Sequence, residues 1–172
     1  MANAVRSPIQ SSVQVEAFVE GPAIAQVSKI AIAHYQTWFT VWLSHLDPQL
    51  SPIDAYEVSL RLTDDSEIQQ LNTDYRQQAK PTDVLSFAAL ETDLPGADIL
   101  HQQQPLYLGD IVISVETAAR QALDSRRTLP QEIAWLAAHG LLHLLGWDHP
   151  DDESLTQMLD QQSQLLSLIS IR

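Results

Sequence analysis

The stretch HGLLHLLGWDHPDD, residues 139–152, places three of the six histidines of this chain within eleven positions. Residues four apart on an α-helix lie on the same face, so the side chains of His139 and His143 can reach one ion. Gly146 can adopt the left-handed conformation that ends a helix, and the turn after it can return His149 to the pair. The spacing predicts a metal site with these three histidines as ligands.

The chain has no cysteine, so imidazole and carboxylate groups must hold any transition metal. Three neutral nitrogen ligands with one open position are typical of catalytic zinc, whereas structural zinc sites usually have four protein ligands. We therefore expect one Zn²⁺ per chain, with nickel or another divalent ion as an alternative that imidazole accepts. A chance cluster of surface or core histidines is the alternative to a metal site.

The spacing also matches the zinc-peptidase pattern His-Glu-x-x-His-x-x-Gly-x-x-His at every position except one. Those peptidases use the glutamate as general base for the zinc-bound water. Gly140 occupies that position here and has no side chain to accept a proton. Peptidase chemistry is therefore disfavoured, although the zincin-like helix geometry remains. Glu132, two turns before His139, could be an outer-shell partner, but we expect an ordinary solvated glutamate.

Strand and helix signals alternate along the rest of the chain. Apolar residues that alternate with polar ones predict strands at 11–20, 55–63, 82–90 and 106–114. Helical spacing and capping signals predict helices at 23 to about 45, 64 or 65 to about 75, 115–123, 130–145 and about 152 to 169. The zinc helix should bury Ile133, Ala137, Gly140, Leu141 and Leu144. The loop at 91–105 is rich in proline and glutamine. His34 lies on an apolar stripe and is predicted to be a core histidine, and His101 is predicted to be exposed.

These signals predict one α+β domain at residues 13–172, preceded by a flexible arm at 1–12. Its mixed sheet of about four strands should pack with about five helices, including the zinc helix. The most apolar long segment, 23–46, is interrupted by polar side chains and falls short of a membrane span. No signal or transit peptide is evident at the start. We therefore expect a soluble cytoplasmic protein with no membrane partner.

Acidic residues outnumber basic ones by 22 to 9, which gives a net charge of −13. This charge disfavours broad attraction to nucleic acid, and we expect no DNA partner. Six basic residues nevertheless fall in the middle of the sequence and could fold into one patch. They are Arg61, Arg76, Lys80, Arg120, Arg126 and Arg127.

Three separated blocks resemble the YbeY family of bacterial endoribonucleases, the rRNA maturation factors. The family signature His-Gly-x-Leu-His-Leu-x-Gly-x-Asp-His appears here as HGLLHLLGWDH at 139–149. The other blocks are LNTDYRQQAKPTDVLSF at 71–87 and LGDIVIS at 108–114, in the family's order and approximate spacing. Trp147 replaces a tyrosine common in the family, and this change leaves the histidines intact.

The resemblance implies a single-strand-specific, metal-dependent endoribonuclease. Its expected work is maturation of the 16S rRNA 3′ end and ribosome quality control, with the small ribosomal subunit and its assembly proteins as partners. The implied site residues are the zinc ligands His139, His143 and His149, the catalytic residues Arg76 and His139, and the cleft or outer-shell residues Asp83, Ser86 and Asp110.

Alternatives remain open for two of these residues and for the function. A guanidinium at Arg76 can grip a phosphate or stabilise charge that grows on it, but a surface salt bridge is the alternative role. Asp110 could be a structural turn residue. No general base is evident, so the RNA 2′-hydroxyl or a metal-activated water could attack. The competing functions are a zinc metallopeptidase and a non-catalytic, zinc-stabilised ribosome-assembly factor.

Overall fold

The computed structural model of the chain describes residues 12–91 and 96–171. Four strands lie in this part of the chain: β1 (Gln14–Glu20), β2 (Ala55–Thr63), β3 (Val84–Ala88) and β4 (Leu106–Ser114). The same ranges hold six α-helices: α1 (Ile32–Leu46), α2 (Asp65–Arg76), α3 (Ala97–His101), α4 (Val115–Ser125), α5 (Leu129–Leu144) and α6 (Asp152–Ser167). Residues 1–11 of the predicted N-terminal arm lie outside the described residues.

The four strands form one mixed sheet in the order β1, β2, β4, β3. β1, β2 and β4 run parallel, and β3 pairs with β4 in the antiparallel sense. Parallel neighbours need a crossover connection, and α1 provides it between β1 and β2. The predicted α+β class with a mixed four-stranded sheet is confirmed.

The main hydrophobic core lies on the sheet face that carries α1, α5 and α6. The indole Nε1 of Trp42 in α1 donates to the carbonyl of Leu165 in α6 (2.9 Å), which joins two of these helices. The opposite face is covered in part by α2, where Ile68 packs against Leu85 and Val112. The predicted buried face of α5 is confirmed, because all five of its residues are buried: Ile133, Ala137, Gly140, Leu141 and Leu144.

The first predicted helix was wrong in its N-terminal third. A 3₁₀ turn occupies Ile24–Val27, and α1 begins only at Ile32. Val27 and Ile30 are buried as the pattern indicated, but they lie in a turn, where the amide of Ile30 donates to the carbonyl of Val27 (2.8 Å). None of the helices in the described ranges is long and apolar enough to cross a membrane.

His34 is exposed, which contradicts the prediction of a core histidine. Because α1 starts later than predicted, His34 falls in its first turn, where amide groups lack helical partners. Its Nδ1 accepts a hydrogen bond from the backbone N–H of Ala31 (3.1 Å). The histidine therefore helps to cap the helix.

The segment after β3 also differs from the sequence prediction. A 3₁₀ turn at Ala89–Glu91 follows the strand, and the short helix α3 occupies part of the predicted loop. This helix brings the number of α-helices in the described ranges to six, one more than predicted. His101, at its end, is half-buried, so the prediction of an exposed side chain was wrong.

Glu132 is buried, with only 3% of its surface exposed, so the prediction of a solvated glutamate was wrong. Its Oε2 accepts hydrogen bonds from Arg127 (3.0 Å) and from the hydroxyl of Ser125 (3.1 Å). The Arg127 guanidinium also stacks on the ring of Trp135, 4.1 Å from the ring centroid. These contacts join the α4–α5 connection to the first turns of α5, so Glu132 has a structural role.

Candidate metal centre

The end of α5 turns the chain back towards the helix. Gly146 has a φ of +94°, and its backbone N–H donates to the carbonyl of His143. The N–H of Trp147 donates to the carbonyl of Leu142, and both distances are 3.0 Å. This pair of bonds is the Schellman motif, which commonly uses glycine because of the left-handed φ. The predicted bend is therefore present, and it returns His149 to the helix.

The three histidines form a compact cluster. The Nε2 atoms of His139 and His143 are 3.0 Å apart. The ring of His149 lies 5.7 Å from that of His139 and 5.2 Å from that of His143, between centroids. One ligand nitrogen from each residue lies within 4.8 Å of the other two. Nitrogens at zinc-ligand distances around a tetrahedral ion are roughly 3.3 Å apart, so this cluster could hold a metal ion.

Two acceptor groups determine which ring nitrogens face the cluster. Nδ1 of His143 donates to the carbonyl of Trp147 (2.9 Å), which can only accept. Nδ1 of His139 donates to Oε1 of Gln162 (3.1 Å). The protonated Nδ1 leaves a lone pair on Nε2 in both rings, and these lone pairs face each other at 3.0 Å. A cation between them would relieve this repulsion, so the donor set fits a divalent ion.

The pKa values of His139 and His143 are both lowered. Burial is the largest cause at His139; the hydrogen bond that His139 donates to Gln162 and the charge of Asp83 act in the opposite direction. At His143, burial again comes first, followed by repulsion from His139 and, more weakly, from His149. Both causes disfavour the imidazolium form. The neutral imidazole that remains is the form that coordinates metals.

One member of the cluster, His143, lines a cleft of about 570 Å³ between α2, β3 and the turn after α5. Arg76, the last residue of α2, lines this cleft together with His143. The fold thus brings the first and second sequence blocks to one site, as the resemblance implied. The remaining lining residues are Tyr75, Ser86, Phe87, Ala88, Gly146, Trp147 and Asp148.

Arg76 is exposed, and it forms no ion pair with any carboxylate whose side chain the structure describes. These side chains therefore give no support to the alternative of a surface salt bridge. Arg61, Arg120 and Arg127 each pair with a carboxylate, and the cleft lining includes none of the other mid-chain basic residues. Among the six mid-chain basic residues, Arg76 is therefore the one that places its positive charge in the cleft lining.

Ser86 lies in the cleft lining, whereas Asp83 lies outside it. The hydroxyl of Ser86 lines the cleft and donates to the carbonyl of Gly140 (3.2 Å), which joins β3 to α5. Asp83 accepts from the backbone N–H of Val84 (2.7 Å) and from the side-chain amide of Gln121 (3.0 Å). These bonds connect the start of β3 to α4. Asp83 is not in the cleft lining; its negative charge raises the pKa of His139 slightly, against the larger effect of burial.

Asp110 lies away from the histidine cluster. Along the β2–β4 pair, Glu57 lies opposite Tyr107, and Ser59 lies opposite Asp110. Two steps along β2 therefore correspond to three along β4, which places a bulge of one extra residue in β4 next to Gly109. The bulge turns Asp110 to the sheet face of α2, where it lines a neighbouring groove of about 840 Å³ that shares Tyr75 and Phe87 with the cleft. Asp110 is not among the residues that line the cleft itself, and it lies within a strand rather than in a turn.

Gly140 faces the sheet. A Cβ atom at this position would lie 2.7 Å from Cγ2 of Ile111 and 3.2 Å from Oγ of Ser86. Distances of this kind require the sheet or the helix to shift, and the β-branched side chain of Ile111 is stiff. The chain therefore lacks both the peptidase glutamate and the room for it.

We expect the Gly140→Glu variant to lose about 3 kcal/mol of stability, because overpacking adds to the burial of a carboxylate. For a chain of this length the Tm should fall by roughly 10 °C, which thermal unfolding can measure. Gly140→Ala tests the steric contribution alone. It should lower the stability by less than Gly140→Glu, because alanine favours a helix more than glycine does. Leu123→Glu, at an 82% exposed position in α4, is the control. A Gly140→Glu protein with wild-type stability and peptidase activity would refute this assignment.

Sequence reasoning missed Gln162, the hydrogen-bond partner of His139. α6 buries Met158, Gln162 and Leu165 at helical spacing, so a polar residue within an apolar stripe was the available signal. It also missed Tyr75 as a cleft residue, and it noted Trp147 only as a substitution. Gln162 and Tyr75 reach the site through the tertiary fold, whereas Trp147 lies in the turn that follows α5.

Comparisons with known proteins show the family of this chain. The sequence profile of the family described as Endoribonuclease YbeY matches residues 23–170. The protein named Endoribonuclease YbeY from Nostoc sp. is 54% identical over 168 residues, which cover 95% of this chain and 91% of the relative. The protein of the same name from Picosynechococcus sp. is 48% identical over 163 residues, with 95% and 99% covered.

The fold has a counterpart among solved structures. The solution structure of TM1509 from Thermotoga maritima matches with a TM-score of 0.53 and 22% identity, over 90% of this chain and 88% of that one. The structural match supports the fold alone. The profile covers most of the chain, and the relatives exceed half identity or approach it over nearly its whole length. The chain therefore belongs to the YbeY family of endoribonucleases.

Proposed function

We propose that this chain is a metal-dependent hydrolase that cleaves single-stranded RNA, with 16S rRNA at its 3′ end as the substrate. The observation that carries the proposal is the cleft that Arg76 shares with His143, one of the three clustered histidines. His139, His143 and His149 would hold the ion, Zn²⁺ being the first candidate. Arg76 and His139 are the proposed catalytic residues.

The ion, when bound, supplies a Lewis acid at the base of the cleft. The guanidinium of Arg76 binds a phosphate oxygen and offsets the charge that grows on the phosphate in the transition state. Because no carboxylate in the described residues pairs with it, this cation is available to an anionic substrate. The hydrogen bonds at Nδ1 of His139 and His143 hold their imidazoles in place.

Two aromatic side chains favour a single-stranded substrate. Tyr75 is 68% exposed and Trp147 is half-buried, and both line the cleft beside Arg76. Unpaired RNA exposes base faces that stack on such rings, whereas a duplex hides them. Stacking of the bases on either side of the scissile phosphate would place that phosphate between the histidines and the arginine.

The net charge of −13 indicates that RNA is not found by long-range attraction alone. Delivery by the small ribosomal subunit and its assembly proteins would overcome this repulsion. We therefore propose that the protein works in the cytoplasm with these partners and takes part in ribosome quality control.

The function can be tested with purified protein, stripped of metal and reloaded with Zn²⁺ or Ni²⁺. The substrates are RNA that spans the 3′ end of 16S rRNA, the same RNA paired with its complement, the matching DNA, and an unfolded protein. We expect cleavage of the single-stranded RNA by the metal-loaded protein only. Cleavage of the unfolded protein would favour a metallopeptidase. Intact RNA together with tight binding to ribosomal subunits would favour a non-catalytic assembly factor.

A further inference from the structure

Gln162 joins two successive turns of α5. It lies in α6, with 1% of its surface exposed. Its Nε2 donates to the carbonyl of Trp135 (2.8 Å), and its Oε1 lies 3.1 Å from Nδ1 of His139. Trp135 is one helical turn before His139. A single buried amide therefore contacts both the backbone of α5 and an imidazole of the histidine cluster.

The hydrogen bonds of Gln162 allow one arrangement of protons. A backbone carbonyl only accepts, so the amide NH₂ group must face Trp135 and Oε1 must face His139. An acceptor next to Nδ1 requires the proton on Nδ1. The lone pair of His139 is then on Nε2, which is the nitrogen that faces His143 at 3.0 Å.

We infer that Gln162 is a positioning residue for metal binding, which fixes the tautomer and the ring orientation of His139. The inference rests on the proposed metal-dependent function. Outer-shell partners of histidine ligands typically contribute about 10- to 100-fold to metal affinity. The corresponding partner of His143 is the backbone carbonyl of Trp147, which a substitution cannot remove.

A glutamine suits this position better than a glutamate, because its amide NH₂ donates to Trp135 and its amide oxygen accepts from His139. The carboxylate of a glutamate would accept from His139 equally well, but its second oxygen would face the carbonyl of Trp135 across 2.8 Å. That contact is repulsive, and the charge would be buried. Metal binding and fold stability should therefore respond differently to substitutions at Gln162.

The experiment compares Gln162→Met with Gln162→Glu and measures the Kd for Zn²⁺ by competition with a chromophoric chelator. Methionine fills a similar volume but offers His139 no strong acceptor, so the Kd should rise about 10- to 100-fold. The glutamate variant retains an acceptor, so its Kd should stay within a few-fold of wild type while its Tm falls. Met158→Leu, one turn earlier on the same buried face of α6, is the matched control and should leave the Kd unchanged.

The imidazole ¹⁵N shifts of the metal-free proteins give a second measurement, independent of metal and activity. His139 should carry its proton on Nδ1 in the wild type and in Gln162→Glu, and lose this preference in Gln162→Met. Gln162→Leu repeats the comparison should the methionine variant fold poorly. A wild-type Kd and tautomer in the folded methionine or leucine variant would overturn the inference. So would equal losses of affinity in the glutamate and methionine variants, since packing alone would then explain both. Wild-type protein that binds no metal would instead refute the proposed function, whereas the tautomer would still report on Gln162.

Discussion

His143→Ala is expected to abolish RNA cleavage and metal binding together. Nε2 of His143 lies 3.0 Å from Nε2 of His139, and the side chain of His143 lines the cleft. Removal of a ligand should cost more affinity than the roughly 10- to 100-fold typical of an outer-shell partner. Without the ion the cleft has no Lewis acid, so cleavage should fall by at least about 10³-fold.

Metal content and thermal unfolding can check this result. A wild-type protein in free Zn²⁺ at 1,000 times its Kd should gain roughly 4 kcal/mol of stability, and the variant should gain almost none. His34→Ala is the control, because His34 is an exposed histidine at the start of α1 that contacts the backbone of Ala31. It should retain metal and activity. RNA cleavage by metal-free His143→Ala protein at the wild-type rate would contradict the proposed mechanism.

Several parts of the fold that depend on local patterns were predicted correctly. The four strands, the buried face of α5 and the bend at Gly146 follow from residue periodicity and from the freedom of glycine to adopt a positive φ. The predicted capping signals are also present, with Asp64 as the N-cap of α2 and Asp151 as the N-cap of α6. These features need only neighbours in the sequence.

Several errors occurred where the packing of one element on another decides the outcome. Strict alternation along β4 would place Asp110 on the same face as Leu108, but the bulge beside Gly109 reverses that face. Glu132 was expected in solvent, yet Arg127 and Ser125 bury it with hydrogen bonds. Pairing across a sheet and the packing of one helix on another are not visible in a short window of sequence.

The same reasoning explains why the candidate site was predicted only in part. The histidines lie within eleven positions, so helix geometry and one turn were enough to bring them together. Gln162 reaches His139 from α6, 23 residues further along the chain. Arg76 reaches the cleft from α2, and its place there was expected from the family resemblance rather than from any pattern around it.

Arg76→Ala is expected to lose cleavage while it keeps the metal, which separates the arginine from the histidines. Arg76 is exposed at the end of α2, and no contact to the cluster ties it to metal binding. Loss of one donor that stabilises transition-state charge typically costs about 10²- to 10³-fold in rate. The rate should fall by that factor at saturating RNA, with Zn²⁺ content and Tm close to wild type.

Two further variants distinguish a role in catalysis from one of general charge. Arg76→Lys keeps the positive charge but loses the paired, planar hydrogen bonds of the guanidinium, so its rate should recover only in part. Arg126→Ala removes an exposed arginine at the end of α4, outside the cleft lining, and should cleave RNA normally. If the alanine variant at position 76 cleaved at the wild-type rate, the cleft assignment would fail. If the Arg76→Ala variant lost its metal, Arg76 would be a residue that supports the histidine cluster. The missing charge in the cleft could then not explain the loss of cleavage.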